Sequence, residues 1–286
     1  MTDFGGAVKK SQEYEFAIFG VPYDEKSCFL KGAAQGPGAI REASTGSAIN
    51  SWTELGIDLE KDTVIVDLGD VDTSGDYSVV GSRIKDMIGQ ILDKKGIPIL
   101  LGGDHSVSLH AVEALSRKYR SLDVLHFDAH PDLYDELDGD RFSHACPFTR
   151  ILEAKIVKNL VQVGVRAVTG EHLEIAQRWG VKMYTMRDLE DLPRLNFSNP
   201  LYISFDMDAL DPAFAPGVSH HEPGGLSTRQ VIQMIHSLKA DIIGADIVEV
   251  NPVQESKGIT AAAAVKIIIE IMGKIVMEKK RHFQSN

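Results

Sequence analysis

Asp128, His130 and Asp132 stand at steps of two in the run Phe127–Asp128–Ala129–His130–Pro131–Asp132. The run follows Leu122–Asp123–Val124–Leu125, a short apolar segment that reads as a buried strand. Extended backbone sends alternate side chains to one side, and a residue before proline, as His130 is, is biased toward extended geometry. Two carboxylates and an imidazole are therefore expected to project together from a strand end. A lone triplet of this kind reads equally well as a capping turn with a satisfied histidine. Here the pattern recurs. Asp206 and Asp208 follow the apolar run Leu201–Tyr202–Ile203–Ser204, and His105 follows Ile97–Pro98–Ile99–Leu100–Leu101 through Gly102–Gly103–Asp104. Strand ends that repeatedly carry metal-type ligands make a constellation.

The candidate ligands are His105, Asp128, His130, Asp132, Asp206 and Asp208. They are too many for one zinc, and carboxylates this close oppose one another's ionisation unless cations neutralise them. Two divalent metals would do so. An oxygen-dominated shell with some imidazole favours Mn²⁺ over a thiolate-seeking metal. Such a pair can bring a shared water's pKa toward neutrality and so make a hydroxide nucleophile. Asp104 is expected to point elsewhere, as a structural or supporting group, and His126 to be a buried hydrogen-bonded histidine. His110, His172 and His236 fall in expected helices and read as packed side chains, and His282, just past the last of them, is read the same way. His144 lies in a loop shortly after the triplet, where a histidine could relay protons. Glu249 ends an apolar strand, either as a solvated acid or as a grip for a cationic group. Cys146 reads as a packed thiol, because no base is placed for it.

The elements that must position these groups alternate along the chain. Strands are expected at 14–20, 64–69, 97–101, 122–125, 160–165, 181–184, 201–205 and 241–248, about eight by pattern. Helices are expected from Pro37 through Asn50, over Tyr77–Lys95, from a Ser106 cap to Tyr119, over part of Ser143–Ala154, and over Glu171–Trp179, Ser227–Leu238 and Ile259–Lys279. The strands are continuous apolar runs, the signature of a parallel sheet covered by helices on both faces. Ligands of such sheets bind outside the carboxyl ends of the strands, where the candidate residues stand. No linker or repeat divides residues 1–286, which are expected to form one domain.

Composition narrows the partners. A net charge of −11 argues against nucleic acid and anionic membranes and suits a small cationic substrate, although a solvated acidic surface is the commoner cause. Two cysteines, Cys28 and Cys146, give no disulfide framework and fit a reducing cytoplasm. The N-terminus lacks a signal-peptide pattern. The most apolar stretch, Ile259 to Val276, is interrupted by Lys266, Glu270 and Lys274 and reads as an amphipathic or core helix, not a membrane span.

Four motifs together resemble the ureohydrolases, the family of arginase, agmatinase and other guanidino-acid hydrolases. They are Gly-Gly-Asp-His-Ser at 102–106, Phe-Asp-Ala-His-Pro-Asp at 127–132, Ser-Phe-Asp-Met-Asp-Ala-Leu-Asp-Pro at 204–212 and Glu-Val-Asn-Pro at 249–252. The resemblance spans nearly the whole chain. It implies a three-layer α/β/α sandwich around an eight-stranded parallel sheet, two Mn²⁺ per chain, and a homo-oligomer, trimer or hexamer. It makes His105 and Asp132 ligands of one manganese, His130 and Asp208 ligands of the other, and Asp128 and Asp206 bridges. His144 becomes the proton shuttle and Glu249 the guanidinium grip. Val253–Gln254–Glu255–Ser256–Lys257 departs from the family's more usual Asp-containing run and leaves the local structure there open.

The substrate follows less directly. Animal-type arginases hold the substrate's α-carboxylate with a Ser-Gly-Asn type run, for which this chain has Asp138–Gly139–Asp140. The acidic loop Asp135–Glu136–Leu137–Asp138 would repel a carboxylate. The run 216–226 resembles agmatinases and plant-type arginases. Agmatine, giving putrescine and urea, is the expected substrate, with Asp135, Asp140, His220 and Glu222 as candidates for holding its tail. Arginine is the alternative, since Arg141 could pair with a carboxylate, and other guanidino acids remain open. A metal-binding homologue without turnover and a single-metal deacetylase are the readings from other classes.

Overall fold

The computed structural model describes residues 3–7, 11–46, 50–189 and 194–284. Among them, eight strands form one sheet: β1 (Phe16–Val21), β2 (Ile65–Asp70), β3 (Ile97–Gly102), β4 (Asp123–Phe127), β5 (Asn159–Val165), β6 (Lys182–Thr185), β7 (Leu201–Asp206) and β8 (Ile242–Val248). The order is β2-β1-β3-β8-β7-β4-β5-β6, and every pairing is parallel. β1–β3 lie to one side and β4–β6 to the other, with β7 and β8 filling the gap. The chain therefore leaves β3 and β4 in opposite directions, the switch point at which open parallel sheets bind ligands.

The helices are α1 (Gly36–Ser44), α2 (Leu59–Asp62), α3 (Tyr77–Asp93), α4 (Val107–Ser116), α5 (Pro147–Glu153), α6 (Gly170–Trp179), α7 (Thr228–Ser237) and α8 (Ile259–Gln284). They cover both faces. Alternate strand residues such as Ile18, Ile99 and Phe205 pack with Ile40 of α1, Val231 of α7 and Ile268 of α8. The intervening residues, Phe19, Leu100 and Tyr202, pack with Ile84 of α3, Val112 of α4, Phe148 of α5 and Ile175 of α6. The three-layer α/β/α sandwich expected from the sequence is the fold.

Two local expectations change, and one stretch left open takes a definite form. α1 ends at Ser44, well short of Asn50, where the Ser44 and Thr45 hydroxyls donate back to the carbonyls of Arg41 and Glu42; residues 47–49 lie outside the described ones. Ser106 precedes α4 but accepts no capping bond: its backbone is already helical (φ −61°, ψ −24°) rather than the extended form of a capping residue, and its hydroxyl donates to Asp104 Oδ1 at 2.5 Å. The divergent run after Pro252 forms one 3-10 turn, and the Glu255 carboxylate caps α8 through Ile259 N and Thr260 N at 3.1 and 2.8 Å. The charges that interrupt α8 are paired where buried. Glu270 accepts from Lys266 Nζ at 2.5 Å and lies 2.7 Å from His236 Nε2, and Lys274 Nζ donates to His236 O and Glu278. No helix among the described residues is long and apolar enough to cross a membrane.

Candidate metal centre

The site is built on the carboxyl ends of β3, β4, β7 and β8, four adjacent strands. After β3 the backbone passes so close to Tyr23 that a side chain at Gly103 would collide with the Tyr23 carbonyl. Asp104 faces away from the cluster and accepts from Lys26 N and Ser106 N at 2.9 and 3.0 Å. Burial and the nearby Glu249 push its carboxyl up to about 6. His105, fully buried, turns inward. Its Nε2 lies 2.9 Å from Ser204 Oγ, and that hydroxyl donates to Asp246 Oδ1 at 2.8 Å. The serine's proton is thereby committed, so Nε2 of His105 carries the hydrogen and Nδ1 presents a lone pair. Nδ1 faces Asp132 Oδ2 at 3.0 Å, Asp128 Oδ2 at 3.1 Å and Asp206 Oδ2 at 3.2 Å.

The second nest shares Asp128. His130 Nδ1 lies 3.0 Å from Asp208 Oδ2 and 3.3 Å from Asp128 Oδ1. Asp208 is held by Ala129 N, which donates to its Oδ1 at 3.0 Å, and its own N–H donates to Asp206 Oδ1 at 2.7 Å. The convergence of Asp128, His130 and Asp132 is as expected, but its cause is not continued extended backbone. The chain bends at Ala129–His130, and Asp132 takes a left-handed φ of 51°. Such conformations in non-glycine residues gather at functional sites.

The donor set fits two hard divalent cations. His105 Nδ1 is buried with no hydrogen-bond partner, facing three carboxylates that cannot donate to it when ionised. Burial, together with their neighbours, pushes the Asp206 carboxyl well above the usual range and raises that of Asp208. Asp128 is also opposed by burial, but His126, His105 and His130 pull it well below. Carboxylates this crowded, with imidazoles and no thiolate among them, ask for Mn²⁺-type ions.

His144 and Glu249 stand over the nests in a cavity of about 550 Å³. Glu249 also has a left-handed backbone, φ 61°, and its N–H donates to Gly103 O at 2.8 Å. Oε1 of Glu249 accepts from His105 N and pairs with His144 Nδ1, each at 3.0 Å; Oε2 is buried without a partner. Burial works against a charged His144, but Cys28 and Glu249 outweigh it and raise its pKa well above the ordinary value. His220 and Glu222 line the same cavity. Asp135 and Asp140 do not: Arg150 and Arg141 hold the Asp135 carboxylate at 2.5 and 3.0 Å, and Lys26 holds Asp140 at 2.6 Å. Arg141 is likewise committed to Asp135 and Glu153.

Several contributors went unread in the sequence. His126, expected as a buried hydrogen-bonded histidine, is one, but it also orients a candidate ligand: its Nδ1 accepts from Gln162 at 3.0 Å, so Nε2 donates to Asp128 Oδ2 at 2.7 Å. His172 packs in α6 as expected, as the third residue of a capping box with Thr169, yet its ring also packs against Tyr134, tilted by 58°, and forms cavity wall. Cys28 lies 3.1 Å from His144 Nε2. Arg166 donates to the carbonyls of Gly164, Asp208 and Glu222 at 3.0, 2.7 and 2.6 Å, tying the loop after β7 to the one after β5. His110 and His236 pair with Glu113 and Glu270 as packed helical residues, and the His282 side chain lies outside the described ones.

A family model described as the arginase family matches residues 14–273. Arginase 1, mitochondrial, of Arabidopsis thaliana is 42% identical over 275 residues, which cover 91% of this chain and 80% of that protein. The solved arginase from Medicago truncatula superimposes with a TM-score of 0.87 at 40% identity, covering 91% of this chain and 87% of that one. The agmatine ureohydrolase of Thermoplasma volcanium does so with a TM-score of 0.87 at 30% identity, covering 99% and 97%.

Proposed function

The chain belongs to the arginase family, and on that premise we propose that it hydrolyses agmatine to putrescine and urea with two manganese ions per chain. His105 and Asp132 would hold one ion and His130 and Asp208 the other, with Asp128 and Asp206 between them. Bound there, the ions supply Lewis acidity and the means to acidify water. The observation that carries the reading is the buried, unpartnered Oε2 of Glu249, which lines the cavity above both nests. A planar guanidinium supplies the N–H donors that this oxygen lacks.

Hydrolysis joins a water oxygen to the guanidinium carbon and breaks that carbon's bond to the alkyl nitrogen. The nitrogen must gain a proton to leave as an amine. His144 is placed to deliver it from Nε2, while its Nδ1–H stays on Glu249 Oε1 and favours the charged ring.

Agmatine is preferred to arginine because of charge. Among the described residues, Arg166 is the only arginine or lysine lining the cavity, and its guanidinium is spent on carbonyl oxygens. Glu222 adds negative charge at the wall, with Oε1 3.7 Å from His130 Nε2. Among the described residues, an α-carboxylate finds no free cation there. The 42% identity to a plant arginase favours the second reading, arginine, with its carboxylate held by neutral donors. Urea release from agmatine, arginine and guanidinobutyrate in Mn²⁺ decides between them. A kcat/KM for arginine above that for agmatine overturns the preference, and no urea from any of the three supports an inactive homologue. We read residues 1–286 as one such domain, working in the cytoplasm as a homo-oligomer, a trimer or hexamer that light scattering would reveal.

A further inference from the structure

Cys28, His144 and His220 place their ligating atoms within 4.8 Å of one another at the mouth of the cavity. Cys28 is an exposed free thiol, and its Sγ lies 3.1 Å from His144 Nε2. His144 donates from Nδ1 to Glu249, so in the neutral ring Nε2 carries a lone pair directed at the thiol. The His220 ring lies 5.4 Å from the His144 ring, tilted by 31°. We infer that these residues form a third metal site, selective for a thiophilic divalent cation such as Zn²⁺, whose occupation inhibits the enzyme. The binding stands by itself; the inhibition rests on the hydrolase reading above.

Chemistry and spacing support it. One thiolate and two imidazoles are a three-ligand zinc set that leaves a fourth position for water. Tetrahedral zinc asks for ligand atoms roughly 3.3–3.6 Å apart. The Cys28–His144 pair is already close, and His220, half-buried on the long loop after β7, has a ring nitrogen within 4.8 Å of both. The carboxylate of Glu249 behind His144 supplies the outer support that metal-bound imidazoles use. Thiolate affinity separates this site from the oxygen-rich nests below, which favour manganese. On binding, Cys28 releases its thiol proton and the charged His144 ring releases its Nε2 proton, both to solvent, and no electron moves. The cation occupies Nε2 of His144, the atom that would protonate the departing amine, and repels a guanidinium approaching Glu249.

The test uses the manganese-loaded protein titrated with Co²⁺, whose thiolate complexes absorb in the near ultraviolet. A charge-transfer band that saturates at about one further equivalent is expected, and excess Zn²⁺ should remove it. Cys28→Ser should abolish the band. Cys146→Ala should keep it, since that thiol is buried and packed. His220→Ala should weaken cobalt binding by at least about tenfold, since even outer-shell changes cost metal sites that much. No band in the wild type, or an unchanged band in Cys28→Ser, overturns the site whether or not urea is released. In the urea assay, each protein is compared with its own zinc-free rate, and the half-inhibiting Zn²⁺ concentration should rise at least about tenfold in Cys28→Ser. Equal zinc sensitivity would overturn the inhibitory role. Failure of every guanidine substrate would instead count against the hydrolase reading and leave the cobalt band intact.

Discussion

Ser204 stands between His105 and Asp246, accepting from the imidazole Nε2 at 2.9 Å and donating to the carboxylate at 2.8 Å. The arrangement fixes which nitrogen of His105 is free to bind a cation. Ser204→Ala should leave the sheet folded but lower affinity for the ion at His105 by about 10–100-fold, the usual cost of losing an outer partner of a metal-bound histidine. Metal content after dialysis against graded Mn²⁺ measures it. Unchanged affinity at both sites would remove the tautomer argument.

Glu249 and His144 share one hydrogen bond but are assigned different tasks, and kinetics separates them. His144→Ala should lower kcat by about 10²–10⁴, the range of a lost general acid, with manganese content unchanged. Glu249→Gln keeps the shape and removes the charge. It should lower kcat/KM for agmatine by about ten- to hundredfold, mostly through KM, from the loss of a charged hydrogen bond. If Glu249→Gln instead depresses kcat alone, its role as a ground-state grip is wrong.

Removing metal should destabilise the fold. Asp128, Asp132, Asp206 and Asp208 are all at most 6% exposed, and without cations their charges oppose one another. Calorimetry with and without chelator should show a lower Tm after stripping. Restoring Mn²⁺ to a hundred times its Kd should return about 2.7 kcal/mol per independent site. A Tm indifferent to chelator would argue that the nests do not hold ions.

The legible part of this site is what residue type and strand pattern encode. Continuous apolar runs marked the strands, and because parallel sheets bind at strand tips, the six candidate ligands could be picked out as Asp and His placed there, and the structure brings them together. Register was not legible. Ser204 pairs with Asp246 across β7 and β8, and His126 pairs with Gln162 across β5 and with Ser204 across β7. These supporting contacts exist only once neighbouring strands are aligned, and no spacing along the chain announces them. Cys28 meets His144 across 116 residues, through loops whose paths no periodicity predicts. The left-handed turns at Asp132 and Glu249 were hidden for another reason: local propensity disfavours them, and the surrounding site imposes them.

Acid should expose one ion pair outside the candidate metal centre. Glu113 of α4 is pulled down to about 2, mainly by the His110 hydrogen bond and then by Lys85, against the opposing effect of burial. A carboxyl depressed in the folded state adds stability above its unfolded pKa and loses it as pH falls through the folded value. Wild type and Glu113→Gln should therefore differ most in denaturant midpoint above about pH 5, with the gap closing toward about pH 2. A gap independent of pH would place the effect in packing, not charge.

Arg166 joins two loops by donating to carbonyl groups rather than to acids. Nη2 reaches Asp208 O and Glu222 O at 2.7 and 2.6 Å, Nε also reaches Glu222 O at 2.9 Å, and Nη1 reaches Gly164 O at 3.0 Å. A planar fork of five N–H donors satisfies acceptors in several directions at once, which a lysine ammonium cannot do. Arg166→Lys keeps the charge and abandons some of these carbonyls, at about 1–3 kcal/mol for each buried one left unpaired. The loosened segment carries His220 and Glu222, so the loop after β7 should become more open to limited proteolysis between 211 and 225. KM should rise while the metal ligands, anchored by the strands, keep their ions. If Arg166→Lys loses manganese and activity together with no change in loop cleavage, the arginine supports the metal nests directly and not the cavity wall.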